Sequence, residues 1–357
     1  VSGNELTRCW RNGKQEKFYG NPVEILRKML KPYKSVSLSG LPQLGQLFGM
    51  WGYELIQWIE PSVPTHELSN EDLPDGIWMF MDKILIFDQV KRLITAVAYG
   101  DLTDGVSPGK AYKIAFEQIN ELQELMAIPL KPVKSLKWNE KGKRSIAMKY
   151  KTSKNEFEKS VESAKEFIKK GDVFQLVISQ KLESNVIQKP FELYRSLRMV
   201  NPSPFMAFFD FGDWQLIGSS PEVMVKAQQT EKGIKASLRP IAGTRPRGEN
   251  LIEDETLEQE LLKDPKERAE HVMLVDLGRN DLGRVCTPGS VFVKELMVIE
   301  KYSHVMHIVS EVEGILQKGK DVWDLLIASF PAGTVSGAPK IRAMQLINQF
   351  EKQRRGP

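Results

Sequence analysis

Cysteine and histidine are scarce in this sequence of 357 residues. The two cysteines, Cys9 and Cys286, are too few to build a disulfide framework, and no Cys-x-x-Cys metal-binding pair is present. Such low cysteine usage fits a reducing compartment, and we expect a cytoplasmic protein.

Long apolar runs are also missing. No stretch is long and uncharged enough to cross a membrane, and no signal peptide is recognisable, so neither membrane spanning nor secretion is supported. The net charge of +4 is a mild bias, without the stripe of Lys, Arg and aromatic residues that is typical of nucleic-acid binding. We therefore expect an anionic small molecule as ligand, with neither a membrane nor a nucleic acid as partner.

The apolar pattern that is present predicts an α+β fold, because strand-like runs and helices occur without regular β-α-β alternation. The predicted helices cover residues 111–125, 153–170, 265–284 and 336–353. The predicted strands cover 77–81, 84–87, 93–97, 174–179, 205–211, 215–217, 223–227, 234–238, 291–293 and 305–312. A basic segment without periodicity suggests three regions: an N-terminal region 1–130, a connector 131–152 and a catalytic region 153–357.

Residues 240–248, "PIAGTRPRG", place a small-residue turn directly before two arginines. One interpretation is a surface loop, since Gly and Pro mark turns and Arg favours water. The other is a floor of bare backbone that lets a ligand approach, backed by cationic side chains.

Several polar residues have two interpretations each. Glu270 shares a helix face with Leu274 and Leu277, so its carboxylate lies either at a rim or in a paired or metal-bound site. Glu222 in "SSPE" follows a strand and is a weak candidate for a general acid. His307 shares a strand face with valines, where a structural histidine is the ordinary interpretation. The segment 333–340 is predicted to open the last helix, with Ser336 as its cap or with Thr334 and free amides binding an anion.

Seven blocks together resemble the chorismate-utilising enzymes, and among them most closely the large subunits, component I, of anthranilate synthases. These blocks are "GDVFQLVISQ" (171–180), "NPSPFM" (201–206), "SSPE" (219–222), "PIAGTRPRG" (240–248), "AEHVMLVDLGRNDLGRV" (269–285), "VMHIVSEVEG" (305–314) and "PAGTVSGAPK" (331–340). The resemblance implies a four-layer α/β/β/α fold with two orthogonally packed, mainly antiparallel sheets.

The resemblance also implies site roles. Mg²⁺ is expected as cofactor on the ring carboxylate of chorismate, with Glu270 as a metal ligand. Gly243 and Thr244 match chorismate-contacting positions, and Thr334 matches a residue over the ring. Glu222 and His307 match positions close to the reacting carbons, with Glu222 expected to transfer a proton at the C4 hydroxyl.

Two positions bear on which family reaction is expected. Gln175 stands where isochorismate and salicylate synthases have a water-activating lysine, and because glutamine is no base, ammonia is the implied nucleophile. Ala242 stands where many aminodeoxychorismate synthases have a lysine, which favours anthranilate synthase, although some aminodeoxychorismate synthases lack that lysine. The implied reaction is the lyase-type conversion of chorismate and ammonia to anthranilate and pyruvate in tryptophan biosynthesis. The alternatives are aminodeoxychorismate synthase component I and a non-catalytic chorismate-binding subunit.

The implied partners follow from what the chain lacks relative to the family. It has no glutaminase-like cysteine elbow, so a separate glutaminase subunit, component II, or free ammonia must supply nitrogen, and we expect a hetero-oligomer. Pro204, Phe205 and Met206 match half of a tryptophan feedback site, with Phe where Tyr is common. The family's Leu-Leu-Glu-Ser segment and its C-terminal tyrosine, arginine and second metal glutamate lie outside this sequence. We expect the piece alone to lack part of its active site.

Overall fold

The computed structural model describes residues 1–34, 40–41, 44–67, 73–130 and 147–357. Its helices are α1 Pro22–Leu30, α2 Ile56–Ile59, α3 Pro108–Ala127, α4 Lys154–Lys169, α5 Pro190–Val200, α6 Leu251–Lys263, α7 Pro265–Gly283, α8 Val322–Ser329 and α9 Lys340–Phe350. Its strands are β1 Glu5–Cys9, β2 Gln15–Tyr19, β3 Leu47–Trp51, β4 Gly76–Phe80, β5 Lys83–Asp88, β6 Leu93–Ala98, β7 Met148–Tyr150, β8 Gln175–Leu176, β9 Leu182–Ser184, β10 Phe205–Asp210, β11 Gln215–Ser220, β12 Lys226–Thr230, β13 Gly233–Leu238, β14 Ile241–Pro246, β15 Phe292–Lys301, β16 Val305–Ile315 and β17 Gly337–Ala338.

The chain divides into two units, one formed by Val1–Trp51, Pro74–Lys141 and Pro357, the other by Gly52–Leu73 and Gly142–Gly356. Among its described residues, the first unit contains the antiparallel strand pairs β1–β2, β3–β4 and β5–β6. Most of the predicted connector, 131–146, lies outside the described residues, while β7 follows it and pairs with β9. The predicted region boundaries 1–130, 131–152 and 153–357 stay a prediction.

The second unit is built on a five-stranded antiparallel sheet. Its order is β12-β13-β16-β14, and β15 also pairs with β16. Helix α7 packs its buried face, which includes Val275 and Leu282, against Leu238 of β13 and Val312 of β16. Burial of such side chains stabilises the fold by about 1.5–3 kcal/mol each, so this interface fixes α7 on the sheet.

Helix starts in this unit follow local capping chemistry. Ser153 and Glu156 form the predicted capping box at the start of α4. Asp264 accepts hydrogen bonds from the backbone amides of Lys266 and Glu267, and Pro265 occupies the first turn of α7 as predicted.

The prediction for the last helix was wrong at its start. Helix α9 begins at Lys340, after Pro339, and Ser336 is not its cap, because the Ser336 hydroxyl donates to the carbonyl of Ala332. Thr334 lies in a 3₁₀ turn, Gly333–Val335, ahead of β17.

Other boundaries also shifted. The predicted strand 174–179 is reduced to β8, which pairs with β17, and the predicted strand 223–227 begins only at Lys226. The sequence reasoning missed the helices α1, α2, α5, α6 and α8, although Asn250 caps α6 and Asp321 caps α8 by readable signals. The α+β class is confirmed, because helices accompany antiparallel pairings throughout the described residues.

Candidate active site

Glu222 lies just past the end of β11, half-buried beside the 3₁₀ turn. One of its oxygens accepts a hydrogen bond from the Thr334 hydroxyl at 3.0 Å, and the backbone amide of Ile241 also hydrogen-bonds the carboxylate. Burial raises the pKa of Glu222 to about 7, because it opposes the charged form more strongly than these two bonds favour it. At neutral pH this carboxyl can therefore both donate and accept a proton.

The segment Ile241–Thr244 forms the first half of β14 and contains a bulge against β16 between Ala242 and Thr244. Gly243 has φ +79, in the left-handed region. A Cβ there would lie 3.1 Å from Ile308, 3.2 Å from Leu261 and 3.3 Å from the Glu267 carboxylate. Both the backbone conformation and the space therefore require glycine.

His307 of β16 is held by this bulge. Its Nδ1 lies 3.2 Å from the Gly243 carbonyl oxygen and 3.0 Å from the Thr244 hydroxyl. Because the carbonyl oxygen can only accept, the hydrogen lies on Nδ1, and in the neutral ring Nε2 is left as an acceptor. Gly243, Thr244 and His307 thus form one hydrogen-bonded group.

The two arginines of "PIAGTRPRG" are engaged in ion pairs. Arg245 contacts Glu260 at 3.0 Å and Asp264, the cap of α7, at 2.9 Å. Arg247 makes two bonds to the buried Asp254, at 2.8 and 3.0 Å, and donates to the carbonyl of Tyr302. These guanidinium groups hold β14 to α6 and α7, so the segment is an anchored bulge rather than a loose loop.

Glu270 lies half-buried on α7, one turn before the buried Leu274, as the helical spacing predicted. Its carboxylate accepts a hydrogen bond of 2.7 Å from the Gln175 amide nitrogen. The Gln175 amide oxygen is buried and has no hydrogen-bond partner among the described residues. A buried acceptor without a donor is unfavourable, so this oxygen is suited to a ligand that brings a donor or a cation.

The backbone of residues 333–338 contacts both α7 and β8. Gly333 lies so close to α7 that a Cβ would come within 2.5 Å of Leu277 and 3.0 Å of Leu274. The chain then continues through β17, where Ala338 pairs with Gln175. The segment 334–338 therefore connects Thr334, which contacts Glu222, to the strand position opposite Gln175, which contacts Glu270.

The expected Mg²⁺ requires oxygen ligands from the protein. Within the described ranges no group of three or more His, Cys, Asp or Glu side chains could hold a metal ion. Mg²⁺, however, often binds one or two carboxylates and completes its shell with substrate and water. Glu270, with the unpartnered oxygen of Gln175 beside it, fits such a site.

The residues expected to form part of a tryptophan feedback site, Pro204, Phe205 and Met206, lie at the start of the β10–β11 hairpin. The second strand of this hairpin ends shortly before Glu222. Phe205 opens β10 and pairs with Ser220 of β11, and Met206 pairs with Ser219. Phe205 is 48% exposed, and Pro204 is also exposed. Binding of tryptophan to Pro204, Phe205 and Met206 stays a prediction.

Sequence reasoning missed Glu267, whose carboxylate lies against Gly243 one turn before Glu270. The three-residue spacing between the two glutamates on α7 was a readable signal. It also missed the Ile241 amide on Glu222, for which the linear sequence gave no signal.

A hydrogen-bonded carboxyl with a pKa near neutrality, in a cleft that Thr334 also lines, marks a candidate enzyme site for a small ligand. The glycine bulge that carries His307 and the Glu270–Gln175 pair are further candidate groups of this site. The chain belongs to the chorismate binding enzymes, whose family model matches residues 5–357. The family resemblance drawn from the seven blocks is thereby confirmed.

Two relatives and one solved structure agree with this family assignment. The chain is 55% identical to anthranilate synthase component 1 of Synechocystis, over 99% of this chain and 71% of the relative. It is 44% identical to the protein of the same name from Acetivibrio thermocellus, over 97% and 69%. The crystal structure of anthranilate synthase component I from Streptococcus pneumoniae superimposes with a TM-score of 0.82 at 34% identity, covering 100% of this chain and 77% of that one. The described helices include none that is both long and apolar enough to span a membrane.

Proposed function

We propose that this chain is the large subunit of an anthranilate synthase, a lyase that converts chorismate and ammonia to anthranilate, pyruvate and water. The observation that carries the proposal is Glu222, a carboxyl with a pKa of about 7 that is hydrogen-bonded to Thr334 in a cleft. The 55% identity to a protein of that name supports it.

In the proposed first step, ammonia forms a bond to C2 of chorismate as the C4 hydroxyl departs. Protonated Glu222 gives its proton to that hydroxyl, which leaves as water, and the Thr334 hydroxyl bond stabilises the carboxylate that forms. The added nitrogen loses a proton, which restores the proton balance. In the second step, C2 loses its proton as the bond between C3 and the enolpyruvyl oxygen breaks, which makes the ring aromatic. The departing enolpyruvate takes up one proton in exchange and becomes pyruvate.

Gln175 favours ammonia over water in this proposal. Its side chain is not a base, so it cannot activate water, whereas its unpartnered oxygen can accept a hydrogen bond from ammonia. Ala242, which is buried in β14, leaves no cation at that position, and this favours anthranilate over aminodeoxychorismate as product.

The remaining roles follow from position. Mg²⁺, when bound at Glu270, would neutralise the ring carboxylate of the substrate. Gly243 and Thr244 would contact chorismate, and the His307 ring, fixed through Nδ1, would orient the departing groups. A glutaminase subunit, component II, would supply ammonia, and tryptophan would bind at Pro204–Met206 as inhibitor.

The test is incubation of the full-length protein with chorismate, Mg²⁺ and ammonium over a pH range from neutral to alkaline, with Glu222→Gln as the matched control. We expect blue-fluorescent anthranilate and an equimolar amount of pyruvate from the parent, and neither from the variant. Aminodeoxychorismate without pyruvate would instead identify the folate-pathway reaction. No turnover at all would point to a binding subunit.

A further inference from the structure

A buried ion pair lies at the base of the segment that carries Thr334. The Lys340 ammonium donates to the Asp281 carboxylate at 2.7 Å and to the carbonyl oxygen of Ser329 at 2.9 Å. Only 9% of the Lys340 side chain and 12% of the Asp281 side chain are exposed. Asp281 is near the end of α7, Ser329 ends α8, and Lys340 begins α9.

The ammonium thus joins both ends of the segment 330–339 and ties them to α7. Within the segment, the Val335 amide and the Ser336 hydroxyl both bond the Ala332 carbonyl. Gly333 packs on Leu274 and Leu277. The segment is therefore one packed unit, and a shift at its base would carry Thr334 with it.

A cleft beside the segment 330–339 is lined both by the catalytic candidates and by one member of the ion pair. Its walls include Glu222, Thr334 and Asp281, and the charged Arg239 also faces it. Arg239 is paired with Glu300 and Glu295 of β15.

We propose that Asp281 and Lys340 are positioning residues, which fix the segment 330–339 so that the Thr334 hydroxyl reaches the Glu222 carboxylate. The importance of this positioning for catalysis rests on the proposed function. The contact between Thr334 and Glu222 can be measured independently of that function. The pair acts through Thr334 and does not touch the reacting atoms.

The energetics favour a positional role over a purely stabilising one. Burial raises the pKa of Asp281 to about 6 and lowers the pKa of Lys340, so burial works against both charges. Well-packed apolar residues of similar volume often stabilise a fold as much as a buried ion pair or more. Because the Lys340 ammonium also donates to the Ser329 carbonyl, the pair instead sets the position and direction of the chain at one end of the segment 330–339.

The decisive variant removes both charges at once, as Asp281→Asn with Lys340→Met. This leaves no unpaired buried charge and leaves the net charge unchanged. Thr334→Val is the reference, because it deletes the hydroxyl bond to Glu222 directly. The triple variant combines the three substitutions, and Lys340→Arg is the matched control that keeps the cation.

The first measurement is a pH titration of the ¹³C carboxyl signals of glutamate-labelled full-length protein. The Glu222 signal is assigned by its loss in Glu222→Gln. We expect the pair-deleted variant to raise the pKa of Glu222 in the same direction as Thr334→Val, because the hydroxyl bond favours the carboxylate. The triple variant should show no further rise beyond Thr334→Val, because both changes remove the same bond.

The inference is overturned if deleting the pair leaves the pKa of Glu222 unchanged, or if its effect adds fully to that of Thr334→Val. Should the pair-deleted variant fail to fold, Asp281→Glu decides, since it keeps both charges and moves the carboxylate by one methylene. A smaller rise of the Glu222 pKa is then expected, and an unchanged pKa contradicts the inference.

The second measurement is chorismate turnover. We expect the pair-deleted variant to lose about tenfold to a hundredfold in kcat with little change in KM, and Lys340→Arg to retain most activity. A purely structural pair would lower thermal stability without this kcat loss. If the parent protein itself does not turn over chorismate, the proposed function fails, while the titration still decides the positioning role.

Discussion

At the scale of single residues, the Glu222 carboxyl links the pH response of the site to the stability of the fold. Its folded-state pKa of about 7 is above the ordinary value of 4.5. The folded protein therefore holds this proton more tightly than the unfolded chain, and stability is lost as the pH rises from about 4.5 to about 7.

Glu222→Gln should remove this loss, because glutamine does not titrate. We compare the free energy of unfolding of the variant with that of the parent. We expect this difference to be about 1–3 kcal/mol more favourable to the variant at pH 8 than at pH 5, after allowance for partial exposure. Urea unfolding at the two pH values measures it, with the exposed Glu231→Gln as control. An equal difference between variant and parent at both pH values would contradict the raised pKa.

Glu270 gives the second residue-scale prediction. Glu270→Gln should lower Mg²⁺-dependent activity of the full-length protein by about a hundredfold or more, because a hard cation loses a charged ligand. The fold should persist, since the new amide oxygen can still accept from Gln175. Asp276→Asn, on the exposed face of the same helix, is the control, and activity is assayed across a Mg²⁺ series. Near-parental activity at low Mg²⁺ would remove Glu270 from the metal site.

At the scale of elements, the bulge of β14 depends on Gly243. Gly243→Ala places a Cβ against Ile308, Leu261 and Glu267 and also strains a backbone with φ +79. Gly289 is the matched control, because its φ of +78 is nearly the same while no atom of the described residues lies within 4 Å of its Cβ position. Both variants should pay about 1–2 kcal/mol for the left-handed conformation.

The additional cost at Gly243 is therefore the crowding of the bulge. We expect Gly243→Ala to be less stable than Gly289→Ala and to lose activity, while Gly289→Ala keeps it. Denaturant unfolding and chorismate turnover of the two variants make the comparison. Equal stability with full activity in both would show that the bulge tolerates a side chain.

Three elements meet at Ser310. Its hydroxyl lies 2.6 Å from Nε2 of the buried His271 on α7, and it accepts the amide of Met297 on β15 at 2.9 Å. Burial lowers the pKa of His271 to about 4, so the ring is neutral at physiological pH. Ser310 therefore satisfies the buried His271 ring and the partly buried Met297 amide, and so holds α7 and β15 to β16.

Ser310→Ala should destabilise the fold by about 2–4 kcal/mol, because both groups lose their partner. Ser329→Ala is the control: its buried hydroxyl donates to the Leu325 carbonyl within its own helix, and its loss should cost about 1 kcal/mol or less. Thermal and urea unfolding compare the two. An equal loss of stability in the two variants would contradict the larger contribution expected of the Ser310 contacts.

At the scale of the whole molecule, the nitrogen source is the testable point. A glutaminase reaction needs a reactive thiolate. Cys286 is buried, and burial raises the pKa of its thiol to about 11, while Cys9 lies on the two-stranded β1–β2 hairpin. Neither cysteine lies in a glycine-rich elbow.

We therefore expect the purified full-length protein to make anthranilate from chorismate with ammonium and not with glutamine. Addition of a glutaminase subunit should restore glutamine-dependent turnover. Anthranilate fluorescence with each nitrogen source, measured on protein free of that subunit, makes the comparison. Glutamine-dependent turnover by the protein alone would contradict it.

The sequence by itself determined the family and much of the local structure. Capping at Ser153 and Asp264 was readable, because a cap depends on residues only two or three positions away. The placement of Glu270 on the buried-side face of α7 was also readable, because helical periodicity is a local property. Motif identity then linked Glu222, Gly243, Thr244, His307 and Thr334 to one pocket before any distance was known.

Only the tertiary structure decided how these residues act on one another. The pKa of Glu222 depends on burial by elements distant in sequence, and its partner Thr334 is 112 residues away. The arginines of "PIAGTRPRG" could have faced a ligand, and only packing against α6 and α7 turned them into anchors. Long-range packing also shortened the strand at 174–179 and began the last helix at Lys340. Desolvation, ion pairing and close backbone approach arise when separate segments meet, so no local pattern could have fixed them.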